Sequence, residues 1–352
     1  MNTISKKKIH FPIQKELRKY LKNYSREMKL PIGYGDLNHY DNSLPLYDKA
    51  GKDTLWETVY YSPSEIEEVK NALCSVYAQL KTEGDISVME HLYVNRIDFC
   101  PFGNSKPFRI RITNKFNDNY DYFYVKKADA SRIYGLELEH ILSPNRISYI
   151  VDGATIIEDH IAGIPGDTFI RNWLEDDQLN RIRLAKEFVK FNERSFVRLL
   201  GDMRSYNYVV DITPDFDDIQ YRIRPIDFDQ QSYEGRKTMY LPQFFKDNNP
   251  IVEFCTNLLN PETIRQYQKE ERAMIANRIK VSRYRLKDLS DCMEIDNIST
   301  PEKVDQLKRE LAEHFENPEF LECESMGGIL RTRLFILLYN NREVLISDEV
   351  KI

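Results

Sequence analysis

The sequence is short of what marks a disulfide-built, zinc-bound or membrane-spanning chain. Its five cysteines (Cys74, Cys100, Cys255, Cys292, Cys323) are odd in number, scattered and without a C-x-x-C pair. That argues against a disulfide framework and against a zinc site and favours a reducing compartment. The longest apolar run, Leu334 to Tyr339, is six residues, where a bilayer asks for about 20. The first residues are polar and basic, with no apolar stretch after them. No secretion signal and no membrane span are therefore expected, and the protein is expected to be cytoplasmic. No internal repeat or low-complexity tract stands out, which argues against solenoids and arrays.

What is present is the material of a real core. Of 352 residues 41% are hydrophobic and 30% charged, with 22 Tyr and 18 Phe, a globular composition long enough for one large domain or two. Charge is uneven. Residues 1–30 hold nine basic side chains against Glu16 and Glu27, a surplus of seven; with −6 overall, the remainder carries −13. An acidic body argues against nucleic-acid binding. The basic N-terminal arm is left to meet RNA, an anionic membrane or an acidic surface, or to be a solvated helix face.

Residues 1–90 read as an N-terminal extension. Ile13, Leu17, Leu21 and Tyr24 recur at helical spacing, Gly33 to Asp53 has loop composition, and Ser62-Pro63-Ser64-Glu65 is a capping box. The helix from about 62 carries Ile66, Val69, Leu73, Val76, Tyr77 and Leu80 on one stripe. Residues 91–160 give strands at Tyr93–Phe99, Phe108–Thr113 and Tyr120–Val125. A helix at Ala130–Leu142 and a hairpin of Ile147–Val151 with Ala154–Glu158, turning at Asp152-Gly153, complete this α+β lobe. Residues 161–352 are mainly helical. They include a helix over Gln178–Leu200 with Ile182, Ala185, Val189 and Phe196 on one side. Strands at Tyr208–Val210 and Gln220–Ile226 are joined by the acidic turn Pro214 to Asp218, and a late helix is capped by Thr300-Pro301.

The chemistry concentrates in two places. Gly201-Asp202 and Asn207 share a loop between the long helix and an apolar strand, and Ile226-Asp227-Phe228-Asp229 closes the next strand. Three or four oxygen donors at adjacent strand–loop junctions are what Mg²⁺ and a transferring phosphoryl group require. Upstream, the strand Tyr122 to Val125 runs into Lys126, with Lys127 on the opposite face. Glu137 shares a helix face with Ile133 and Ile141, so it needs a cation. A Lys126–Glu137 ion pair is expected, with Glu139 as rival.

The G-D-x-x-x-x-N loop followed by I-D-F-D resembles the catalytic and metal-binding loops of the aminoglycoside phosphotransferase and choline kinase branch of the protein-kinase-like superfamily. The resemblance covers about residues 91–235 and implies a bilobal fold, with a small β-rich N-lobe (91–160) and a helical C-lobe (161–352). It implies ATP and Mg²⁺ as cofactors, Asp202 as catalytic base, and Asn207, Asp227 and Asp229 as metal ligands. Lys126, paired to Glu137, would hold the nucleotide phosphates. Backbone groups around Asp159 and Ile161, in the hinge-like Ile156 to Gly163, would take adenine. Gly103 and Ser105, in Gly103-Asn104-Ser105-Lys106, would cover the phosphates, with one glycine where the family's loop has three. Where the branch usually has His, this chain has Leu200. A hydroxyl of a small molecule (a sugar, an aminoglycoside or similar) is the implied acceptor, since H-R-D and A-P-E motifs are missing. A protein kinase or AMP-transferring enzyme of the same fold, and a pseudokinase that only binds nucleotide, are the alternatives.

Overall fold

The computed structural model describes residues 8–82, 90–215 and 218–342. The protein is α+β, with an antiparallel sheet N-terminally and helices C-terminally. It divides into two compact units, Met1–Ala130 with Ile147–His160, and Ser131–Arg146 with Ile161–Ile352.

The first unit comprises α1 (Lys15–Asn23), α2 (Tyr34–Leu37), β1 (Asn42–Tyr47), β2 (Asp53–Tyr60), α3 (Ile66–Thr82), β3 (Leu92–Phe99), β4 (Phe108–Asn114) and β5 (Tyr120–Lys127). After α4 (Ala130–Leu142) it resumes with β6 (Tyr149–Asp152) and β7 (Thr155–Asp159). Its seven strands form one sheet in the order β1-β2-β3-β4-β5-β7-β6, with every neighbour antiparallel. Leu73, Val76, Tyr77 and Leu80 of α3 pack into a core with Phe99, Phe108, Ile110 and Phe123. Ser62 Oγ bonds Glu65 at 2.8 Å and the regular helix starts at Ile66, one turn after the expected cap.

Residues 1–90 are therefore not an extension. The stretch expected to be loop contains β1, an edge strand exposed along most of its length and carrying Pro45. Such a strand needs neither alternation nor a full set of N–H donors, so its composition reads as loop. Strand β2 joins the sheet at Glu57↔Phe99 and Thr58↔Asp98. The buried Asp98 carboxylate ties three strands together, accepting from Thr58 at 2.9 Å and from Arg109 at 2.8 Å.

The other edge, β6, is covered by residues 26–28, which run parallel to it through Val151 N–H to Arg26 O (2.8 Å) and Met28 N–H to Val151 O (3.1 Å). Leu17, Tyr20 and Leu21 of α1 are buried. Basic side chains of this arm meet carboxylates of their own unit: Lys8 with Asp129 (2.9 Å), Arg18 with Glu27 (3.0 Å) and Lys29 with Asp152 (3.5 Å). Lys6 and Lys7 lie outside the described residues.

The second unit takes all of α4 but its first residue, then β8 (Ile164–Pro165), α5 (Gly166–Asn172), α6 (Arg181–Val197), β9 (Tyr208–Asp215) and β10 (Asp218–Pro225). Strands β10-β9-β8 form a small antiparallel sheet. Of the expected turn between β9 and β10, residues 216 and 217 lie outside the described residues. Helices α7 (Asn249–Leu258), α8 (Pro261–Val281), α9 (Arg283–Ile295), α10 (Pro301–Phe315) and α11 (Met326–Asn340) complete the unit. Helix α6 buries Ala185, Val189 and Phe196 as expected, but Ile182, in its first turn, is 48% exposed. Among the described residues no helix is long and apolar enough to cross a membrane.

Placing α4 in a lobe of residues 91–160 is corrected by this division. One face of α4 presents Ser131, Arg132 and Gly135 to residues 227–231 of its own unit. Ser131 Oγ donates to Gln231 O at 2.7 Å, and a methyl group on Gly135 would lie 2.9 Å from Phe228 Cβ.

Candidate active site

The Asp202–Asn207 loop is built by hydrogen bonds to the chain that follows it. Leu200 bridges Gln231, Gly201 N–H donates to Gln230 O (3.2 Å) and Asp202 N–H to Met239 O (3.1 Å). Ile226 N–H donates to Asn207 O at 3.0 Å, which brings the two expected motifs side by side. Leu200 is fully buried. Leu199 and Asp202 adopt left-handed backbone, φ 55° and 58°, a conformation that costs a non-glycine residue about 1–3 kcal/mol and collects at functional sites. From below, α5 holds the loop through Asp167 N–H to Ser205 O (2.9 Å). Gly166 permits that approach, since a Cβ there would lie 2.2 Å from the Tyr208 ring.

The Asp202 side chain accepts from Arg204 Nε at 3.0 Å and from Asn207 Nδ2 at 3.3 Å. Burial pushes its carboxyl above the ordinary value; Arg204 pulls the other way, while Asp227 and Glu234 add to the rise. Asn207 donates Nδ2 to Asp202 O at 2.7 Å, and its Oδ1 accepts from none of the described residues.

Asp227 and Asp229 share one cation from the protein itself. Arg132 Nη1 lies 2.9 Å from Asp227 Oδ1 and 2.7 Å from Asp229 Oδ1, and Asp229 N–H donates to Asp227 Oδ1 at 3.1 Å. Arg132 is 2% exposed and Asp229 is buried, whereas about a third of the Asp227 side chain is exposed. As a metal ligand Asp229 is ill placed; its position suits it to hold Arg132. The remaining set of Asn207 Oδ1 and Asp227 fits Mg²⁺ in kind, since that ion takes one or two protein oxygens and completes its shell with water and phosphate. Among the described residues no group of three or more His, Cys, Asp or Glu is placed to hold a metal. A cation here would thus rest on these two oxygens and on its ligand's own.

Lys126 and Glu137 belong to different units, and each has an opposite charge within its own. Lys126 is buried, with Nζ 2.8 Å from Glu158 Oε2 and 5.3 Å from the Tyr124 ring, while Lys127 is exposed. Glu158 stands opposite Tyr124 in the β5–β7 ladder, on the diagonal to Lys126. Glu137 is clamped by Arg285 of α9 through three contacts of 2.7–2.9 Å. Glu139, the rival, pairs with Arg198 and accepts from Ser143 at 2.6 Å. The expectation had allowed one cation to Glu137, and α9 supplies another.

Asp159 N–H donates to Ser148 O at 3.1 Å and its carboxylate meets Lys81 at 2.6 Å, so neither group is idle for adenine. The backbone of Ile161 bonds to none of the described residues. Gly163 is required where it stands, with φ 150° and an added Cβ at 2.9 Å from Val209 Cβ. In the turn 103–106 the left-handed residue is Lys106 (φ 41°), and neither Gly103 nor Ser105 is; Lys106 N–H closes on Gly103 O at 3.3 Å.

Arg132, Glu158, Arg285 and Arg204 are the residues that sequence reasoning missed. A signal existed for the first: an arginine among Ile133, Tyr134, Leu136 and Leu138 must bury its charge against carboxylates. A test of the α4 contact is Gly135→Ala, expected to lose about 1–3 kcal/mol in a urea titration because the new methyl overlaps Phe228. An unchanged midpoint would show that α4 does not seat on Phe228. Compared with known proteins, the chain matches no family model and no curated protein.

Proposed function

We propose that the chain is an ATP- and Mg²⁺-dependent phosphotransferase acting on a hydroxyl of a small molecule, in a protein-kinase-like fold. The observation that carries this reading is the left-handed Asp202 on a loop bonded, through Asn207 O and Ile226 N–H, to the turn bearing Asp227. A carboxylate whose proton affinity is raised by burial is a better base for a hydroxyl than one in water. Asp202 would accept that proton, with Arg204 orienting the carboxylate. Asn207 Oδ1 and Asp227 would hold the metal, which supplies charge neutralisation at the phosphates when bound. The roles given to Lys126, Glu137, Gly103, Ser105, Asp159 and Ile161 rest on the family resemblance alone.

The test is thermal shift with ATP and GTP at millimolar Mg²⁺ on the wild type and Asp227→Asn, followed by a screen of hydroxyl acceptors. Stabilisation of the wild type that Asp227→Asn loses is expected. No response from the wild type would sink the proposal.

A second reading, a nucleotide-binding pseudokinase, has one observation in its favour: Arg132 already neutralises Asp227. It predicts nucleotide binding without turnover of any acceptor.

A further inference from the structure

The second unit contains a cavity of about 430 Å³ walled by α6, the 237–244 segment, α8, α10 and α11. That size suits a small molecule. Lys237, Arg272 and Arg333 line it against a single carboxylate among the described residues, Glu193. Glu193 is shared between Arg272 at 3.3 Å and Arg333 at 3.8 Å, the second beyond hydrogen-bond distance.

Arg333 is the informative member. It is 3% exposed, its Nε is buried without a partner, and its guanidinium makes no hydrogen bond among the described residues. Its charge rests over the rings of Phe315 (4.1 Å) and Phe196 (5.4 Å). Stacking engages the flat faces of a guanidinium and leaves its in-plane N–H donors idle. An idle buried donor is costly, and the planar fork matches a carboxylate or phosphate. The surroundings are electropositive: burial lowers the proton affinity of His314, and Lys237 and Arg333 lower it further, so its ring is neutral near pH 7.

We propose that this cavity binds a small organic anion, its phosphate or carboxylate head on Arg333 and Lys237 and its apolar body against Leu241 and Phe196. The site stands apart from the phosphotransferase reading, though one wall bears on it: Met239 O, within the 237–244 segment, accepts the Asp202 N–H.

The experiment titrates the full chain, without Mg²⁺ or nucleotide, with phenyl phosphate, inorganic phosphate and benzoate, read by thermal shift and calorimetry. Saturable stabilisation by at least one organic probe is expected. Phenyl phosphate above benzoate assigns a phosphate head, and the reverse a carboxylate. Arg333→Met is expected to weaken binding by about tenfold or more, the worth of a charge-assisted hydrogen bond. Without probe, its melting temperature should change little, because methionine leaves no donor unmet and Glu193 keeps Arg272 at 3.3 Å. Should that variant fail to fold, the half-buried Lys237→Gln provides the same comparison. A response to inorganic phosphate alone, to no probe, or equal in the wild type and the variants overturns the proposal. None of these outcomes touches the nucleotide test.

Discussion

Arg132→Met is expected to cost about 3–5 kcal/mol in metal-free buffer, the range for stripping one partner from a buried ion pair. Arg132 is almost wholly buried, and a single nitrogen serves both Asp227 and Asp229. Methionine keeps most of the stem's volume but leaves two carboxylates facing each other with that cation gone. A urea titration reads the loss. Millimolar Mg²⁺ is expected to restore a good part of it in the variant and little in the wild type, because a divalent ion is the other way to neutralise the pair. An equal response in both proteins would mean that metal and arginine do not compete for Asp227, which removes the reason for the pseudokinase reading. No loss of stability would mean that the arginine does not hold the 227–229 turn.

On the proposed phosphotransferase reading, Asp202→Asn has the second large effect: turnover is expected to fall about 10²–10⁴-fold, the contribution of a positioned base, while nucleotide binding persists. Stability should move the other way. Asp202 has its carboxyl raised in the fold, chiefly by burial. A raised carboxyl contributes stability that is present below its unfolded value and lost as pH rises through the folded one. Near neutral pH the ionised group is therefore a cost, and the amide removes it. Asparagine also tolerates left-handed backbone at this position better than most residues. The variant should melt at a higher temperature than the wild type at pH 7, with the difference shrinking toward pH 4. Wild-type turnover should rise with pH through the same raised value. Full turnover in Asp202→Asn would remove it from the base's role, whatever its effect on melting.

The middle of the chain was legible because its signals are local. Alternation and turn residues put β3, β4 and β5 within two residues of their observed ends. Helix α4 begins and ends where Ala130 and Ser143-Pro144 imply. Strands β1 and β2 were not legible: the exposed edge strand β1 carries little apolar pattern, and its hairpin partner β2 is tied to the sheet only by pairing Glu57 and Thr58 with Phe99 and Asp98, beyond the whole of α3. Charge pairing failed for the same reason. Glu137 had to bury its charge against a cation, yet Arg285 lies 148 positions away and nothing local selects it.

By itself the sequence determined the α+β class, the order β3-β4-β5-α4-β6-β7, the later α6 with its strand pair β9 and β10, and the two loops that carry Asp202, Asn207 and Asp227. Each of these follows from hydrophobic period, turn chemistry and residue type within a short window. Only the tertiary structure decided that residues 42–60 complete the seven-stranded sheet and that α4 belongs with the helical unit. It alone placed Arg132 on the acidic pair and left Arg333, among the described residues, without a hydrogen bond beside a cavity. The physical reason is that burial makes a charge demand a partner, while packing between distant segments chooses which one it gets.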